Sequence, residues 1–158
     1  MLFDDPARAA TAMRRVLRPG GRLAAVVFTT PAANPFMAKP MEILLRHAGK
    51  APPPPGRPGI FALGAPGVIA RLLTDAGFVA VGEVTVPMTL HLGSAADALR
   101  MMQEAFGAYR AVIAGCDAAT QEAAWRDVGD LLRTFEAATG FSAPGEVVVA
   151  AGVKPPRA

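Results

Sequence analysis

The most constraining feature of this chain is a stop. Pro19-Gly20-Gly21 interrupts a helical pattern and is followed at once by the continuous apolar run Leu23-Ala24-Ala25-Val26-Val27-Phe28. Upstream, Asp4-Asp5-Pro6 supplies capping carboxylates and a proline suited to a first helical position. Ala10, Met13 and Leu17 then recur on one face, with Arg14, Arg15 and Arg18 off it, so a helix is expected over about 6–18. Proline and glycine end it, since glycine accepts the left-handed backbone that a helix end and tight turn require. An unbroken apolar run of this length predicts a strand over 22–28 buried on both faces, as in parallel sheets covered by helices.

Downstream the pattern keeps alternating. Residues 29–64 read as irregular, with a short helix from near Pro40 through Met41, Ile43, Leu44 and Leu45. Pro52-Pro53-Pro54-Pro55 favours an extended polyproline arm. Ala65-Pro66 opens a helix through Val68, Ile69, Leu72 and Leu73, which Gly77 ends. Val84, Val86, Met88, Leu90 and Leu92 alternate with Thr85, Thr89 and His91, a strand with one face on the core and a bulge near Gly82-Glu83. Ser94 with Asp97, and then Asp117, cap two further helical stretches; Trp125, Val128, Leu132 and Phe135 form an apolar stripe in the second. A valine-rich strand closes the chain from about residue 145 to 153. Helices and strands in this order predict a single α/β domain over residues 1–158.

Composition excludes several classes. The 158 residues hold one cysteine, so no intramolecular disulfide or multi-cysteine metal site can form. Two histidines without clustered carboxylates make a poor metal site, and none is expected. No apolar run approaches the ~20 residues of a membrane span, and Asp4 and Asp5 stand where a signal peptide would be basic and apolar. A soluble, cytoplasmic protein is expected. The net charge is +3, with the local concentration Arg14, Arg15, Arg18 and Arg22 free of aromatic residues. A solvated helix face explains that cluster better than nucleic-acid binding does.

The stretches Leu2-Phe3-Asp4-Asp5-Pro6, Arg15-Val16-Leu17-Arg18-Pro19-Gly20-Gly21-Arg22-Leu23, Asn34-Pro35-Phe36 and Leu73-Thr74-Asp75-Ala76-Gly77-Phe78 resemble the second half of class I S-adenosylmethionine-dependent methyltransferases. The nearest group is the small-molecule one typified by ubiquinone and menaquinone biosynthesis enzymes, the methyltransferase type 11 kind. That resemblance implies part of a doubly wound, Rossmann-like sheet ending in an antiparallel strand pair. The strand at 22–28 would be the family's fifth, the strands at 79–92 and 145–153 its terminal pair, and the helices of 94–138 an insertion or lid on the substrate side. The family grips its cofactor in its first half, through a Gly-rich turn and an acidic ribose ligand. No two of the 16 glycines here are separated by a single residue, so no G-x-G occurs. The chain therefore reads as the carboxyl-terminal half of such a methyltransferase, not expected to bind S-adenosylmethionine by itself. Its exposed sheet edge is expected to be covered, either by a second copy in a homo-oligomer or domain swap or by rearrangement of the N-terminal segment.

The resemblance places acceptor-site lining for a small organic molecule at Phe28, Thr29, Asn34, Phe36 and Met41, just beyond the carboxyl end of the buried strand. Methyl transfer is an in-line displacement governed by positioning, so no fixed catalytic set is assigned. His47 and His91 are the groups that titrate near neutrality. Surface or capping roles account for them, as packing does for Tyr109 and Cys116. The alternative function is a non-catalytic small-ligand-binding or dimerisation module derived from the same fold, which an apolar pocket bounded by 28–45 and 94–135 would favour.

Overall fold

The computed structural model describes residues 3–52 and 58–156. In order along the chain come α1 (Pro6–Val16), β1 (Arg22–Phe28), α2 (Pro35–His47), α3 (Val68–Asp75), β2 (Val79–Leu92), α4 (Ala95–Ala105), α5 (Gly107–Ile113), α6 (Ala118–Arg133), β3 (Glu136–Ala137) and β4 (Gly140–Val153). The fold is mixed α/β with an open, antiparallel four-stranded sheet of order β1-β4-β2, in which β3 also pairs with β4. Because β1 and β2 both lie antiparallel to β4, they run in the same direction. Two compact units result, residues 1–33, 55–88 and 146–158 in one and 34–54 and 89–145 in the other. The boundary falls inside both long strands, β2 and β4.

In the first unit, local sequence chemistry starts each element. Asp5 caps α1 by accepting from the Arg8 N–H at 2.9 Å, with Pro6 behind it. At the other end, Lys154 donates its Nζ to the carbonyls of Leu17 (2.7 Å) and Arg15 (3.2 Å), which the helix leaves without partners. Backbone bonds from Gly20 to Lys154 and from Lys154 to Gly21 fasten the Pro19-Gly20-Gly21 turn to the end of β4. Gly67 begins α3 with φ +77° and has no side chain to cap it; Glu83 of β2 supplies the carboxylate, accepting from the Gly67 N–H at 2.7 Å. Ala10, Val27, Ile69, Leu73, Ala76, Phe78, Val148 and Ala150 make the core between α1, α3 and the sheet.

The expectation of a strand buried on both faces is corrected here. Leu23, Ala25 and Val27 turn toward α1 and α3, whereas Arg22, Ala24 and Val26 are exposed, Val26 at 58%. In this unit α1 and α3 pack on each other and on one core, so they cover one sheet face and leave the other bare. The same geometry corrects the reading of β2: Val84 and Val86 are exposed rather than core-facing. The expected irregularity in β2 lies at Ala80, with φ +49°, slightly before Gly82.

The second unit packs α2 against α5 and α6, and α4 against the same two helices. Its centre holds Leu44, Ala98, Met102, Ile113, Ala124, Val128, Leu132 and Phe141, all almost fully buried. Ser94 caps α4 by accepting from Asp97 N–H, Glu136 adds a carboxylate to the Ala95 N–H, and Asp117 caps α6 through Thr120 N–H. The helix expected near Pro40 begins earlier, at Pro35, and carries Pro40 within it. The expected polyproline arm falls on residues of which 53–55 lie outside the described ones.

Gly64 marks the tightest approach in the first unit: a Cβ there would run into the backbone carbonyls of Phe28 and Thr29. Gly82 has nothing within 4 Å. We expect Gly64→Ala to cost about 1–3 kcal/mol because backbone cannot step aside as a flexible side chain does. Gly82→Ala should stay within about 0.5 kcal/mol of the parent, both read by thermal unfolding.

Candidate functional site

The residues that follow β1 are distributed over the two units. In the first, the Phe28 ring meets Phe61 edge-on at 6.3 Å. Thr29 is 5% exposed, and its N–H and hydroxyl both reach the Glu146 carbonyl, at 3.1 and 3.2 Å. This continues the β1–β4 ladder one residue past the strand and fixes where the chain turns away. In the second unit, Asn34 is 1% exposed, and its carbonyl accepts from the N–H groups of Met37 and Ala38 to start α2. Phe36 packs edge-on against Phe141 at 5.7 Å, so its ring belongs to that unit's core; Met41 is half-buried one turn and a half further on. Within each unit these side chains are held by packing and backbone bonds.

Two interactions in the second unit escaped sequence reasoning. Pro40 has no N–H, so the Phe36 carbonyl four residues back has no helical donor. The buried Tyr109 hydroxyl of α5 donates to the neighbouring Met37 carbonyl at 2.6 Å. Sequence alone reads Pro40 as near a helix start, and nothing local to α2 points to Tyr109, 72 residues away. The other interaction joins His47 of α2 to Asp127 of α6: Nε2 lies 2.8 Å from the carboxylate Oδ2, with Arg46 Nη2 at 3.7 Å. The His47 hydrogen bond, then the positive charges of His47, Arg46 and Arg126, hold the Asp127 carboxyl below its ordinary range. Nothing local in sequence signals a contact across 80 residues. The pair ties two helices together; no hydroxyl or thiol is bonded to it among the described residues, so it has no nucleophile to activate.

A cleft of about 240 Å³ opens in the first unit between α1, β1 and α3, lined by apolar residues that include Phe3, Met13, Val26, Val27 and Leu72. It does not coincide with the pocket that residues 28–45 and 94–135 were expected to bound. It also offers no polar side chain to orient a ligand.

Among the described residues, those that the resemblance would set near S-adenosylmethionine do not fit it. The Pro19-Gly20-Gly21 turn stands at the amino end of β1, whereas open α/β sheets bind ligands beyond the carboxyl ends of their strands. The loop after β1, Thr29 to Ala33, has no glycine, and Asp5 is committed to the α1 cap. Among the described residues no three His, Cys, Asp or Glu side chains stand together as a metal site would need, and no helix is long and apolar enough to cross a membrane.

Burial pushes the Tyr109 phenol above its ordinary value of 10.0. The folded state therefore keeps a proton that the unfolded chain releases, so the associated stability is intact below about pH 10 and is lost as pH rises further. Tyr109 is the one tyrosine, so phenolate absorbance reports it alone; we expect that absorbance to appear together with unfolding. Tyr109→Phe should cost about 0.5–1.5 kcal/mol at neutral pH by removing a buried hydrogen bond, and should remove the alkaline loss. For Asp127 the sign is opposite: its stabilisation is present above the ordinary carboxyl range and disappears as pH falls through it. Asp127→Asn should therefore unfold at lower temperature than the parent at neutral pH, the two converging below about pH 4.

Compared with known proteins, the chain matches no protein-family model and no curated protein.

Proposed function

We propose that this chain is the carboxyl-terminal part of a small-molecule methyltransferase of the class I, S-adenosylmethionine-dependent kind. The observation that carries the reading is the place of β4. The last strand inserts between β1 and β2 and runs against both, so the sheet ends in the antiparallel strand pair that the resemblance implies. The helix–turn–strand unit from Pro6 to Phe28 and the helix α3 with its Gly77 end fall on the stretches that carry the resemblance.

In this reading the chain contributes the end of the sheet and the acceptor side of the enzyme. The complete enzyme passes a methyl group from the cofactor sulfonium to a small organic acceptor. Phe28 ends β1 and Thr29, bonded to Glu146, holds the departing loop; Asn34 starts α2, which carries Phe36 and Met41. The helices of 94–138 act as the lid. Since the described residues do not fit the cofactor, no step of the transfer is assigned to a side chain of this chain.

Two measurements test the proposal. Calorimetry of this chain with S-adenosylmethionine should show no binding; a micromolar dissociation constant would overturn the assignment of the cofactor grip to another portion. Sequencing the DNA upstream of the Met1 codon should reveal an in-frame strand followed by an acidic residue and a G-x-G turn, and the longer product should bind the cofactor and methylate small acceptors. An in-frame stop codon there, with no methyl transfer by the chain, would sink the enzymatic reading.

The apolar cleft of the first unit favours a second reading, a non-catalytic small-ligand-binding or dimerisation module derived from the same fold.

A further inference from the structure

The interior strand β4 carries a change of polarity that the methyl-transfer reading does not use. In the row that faces α1 and α3, Leu23 stands opposite Gly152, Ala25 opposite Ala150 and Val27 opposite Val148. One step further along the same ladder Thr29 stands opposite Glu146, donating both its N–H and its hydroxyl to the Glu146 carbonyl. Residues directly opposite in an antiparallel pair share a face, so Glu146 continues an apolar row with a carboxylate. The strands flanking β4, β1 and β2, both belong to this chain.

Burial sets this acid apart from the others. Of the five Asp and Glu residues in the first unit, Asp4, Asp5, Asp75 and Glu83 are exposed, and Asp5 and Glu83 accept from backbone N–H groups at the starts of α1 and α3. Glu146 is half-buried, where a carboxylate gives up part of its hydration. The polar pair also stands at one particular end. Thr29 and Glu146 lie beyond the carboxyl end of β1, where open α/β sheets hold their ligands. Gly64 packs its backbone on the Phe28 and Thr29 carbonyls, and Phe61 meets Phe28 edge-on at 6.3 Å, so the chain around that end is fixed in place.

Resting on the methyl-transfer reading, we propose that Glu146 is a specificity-determining residue that orients the methyl acceptor through a hydroxyl or amino group. A carboxylate accepts hydrogen bonds from such groups, attracts an ammonium and repels another carboxylate. Val148 and Val27, next in the row, are apolar and suit a body without charge. The acceptor class is therefore a small apolar molecule bearing a hydroxyl or an amine, and carboxylic acids are disfavoured.

The test titrates the isotope-labelled chain with benzylamine, benzyl alcohol and benzoate, following its backbone amide signals by nuclear magnetic resonance. Benzylamine and benzyl alcohol should shift the signals of Thr29, Thr30, Gly64 and Glu146, and benzoate should bind at least roughly ten-fold more weakly than benzylamine at neutral pH. Glu146→Gln keeps the shape of the side chain and removes its charge, so it should bring the amine and the acid to within about two-fold of each other. Asp75→Asn removes an exposed acid of the same unit and should leave the parent's preference in place. A merely structural Glu146 would lower the unfolding temperature of Glu146→Gln and leave the preference for benzylamine as it was, which overturns the proposal. Binding of no probe, or shifts confined to other parts of the chain, overturns it as well. An in-frame stop codon upstream would sink the methyl-transfer reading while leaving these titrations as they are. A longer product that methylates small acceptors with an unchanged KM in its Glu146→Gln form would sink the role of Glu146 alone.

Discussion

The ladder joining Arg22–Phe28 to Val147–Val153 makes a unit out of pieces of chain that begin more than a hundred residues apart. Without it, α1 and α3 would have only each other to pack on, and neither is long enough to be stable alone in water. With it, Val27, Val148 and Ala150 present one apolar surface that buries Ala10, Ile69 and Leu73. Each fully buried aliphatic side chain there contributes about 1.5–3 kcal/mol. The ladder is also fastened beyond its own ends, by Thr29 to Glu146 on one side and by the Gly20–Lys154–Gly21 bonds on the other. Lys154 serves both strand and helix, since its backbone closes the turn while its side chain satisfies the last carbonyls of α1.

What was legible in the sequence follows the range of the forces involved. Caps act within three residues, so Asp5, Ser94 and Asp117 announced α1, α4 and α6 at nearly their true starts. The bounds of β1 were legible for the same reason, between a glycine turn and a threonine-proline loop. Which side of that strand is covered depends on residues at other places along the chain. A run of apolar residues is compatible with two covered faces or with one, and Arg22, Ala24 and Val26 prove to be on a bare face. Proline gave the other ambiguity. Pro35 and Pro40 each suit a helix start, and only the Asn34 carbonyl, bonded to Met37 and Ala38, fixes the earlier one.

The candidate site was legible only as a place. Sequence put Phe28, Thr29, Asn34, Phe36 and Met41 around the end of the strand expected over 22–28; β1 ends at Phe28 and α2 begins at Pro35. Their surroundings needed three dimensions: Phe61 and Gly64 against the end of β1, Phe141 against Phe36, and the Tyr109 hydroxyl on the Met37 carbonyl. The His47–Asp127 bond belongs with these, because its two residues come from helices that meet only through folding.

The two units differ in how they use charge, and that difference bears on how the chain meets other molecules. In the second unit acids nearly balance bases, and four of its seven Lys and Arg residues pair with Asp97, Glu122, Asp127 and Asp130 across or along its helices. Such exposed pairs add little stability, about 0–1 kcal/mol each, but they leave no large unpaired field. In the first unit Arg15, Arg18 and Arg22 have no acidic partner among the described residues, beside a strand that is an end strand of the described sheet. Natural sheets commonly blunt an exposed edge with lysine, proline or a bulge. β2, the opposite edge, carries Pro87 and the irregular Ala80 in that manner. β1 is regular, has no proline, and is charged only at its first residue. Of the two edges, it is the one whose chemistry leaves pairing open.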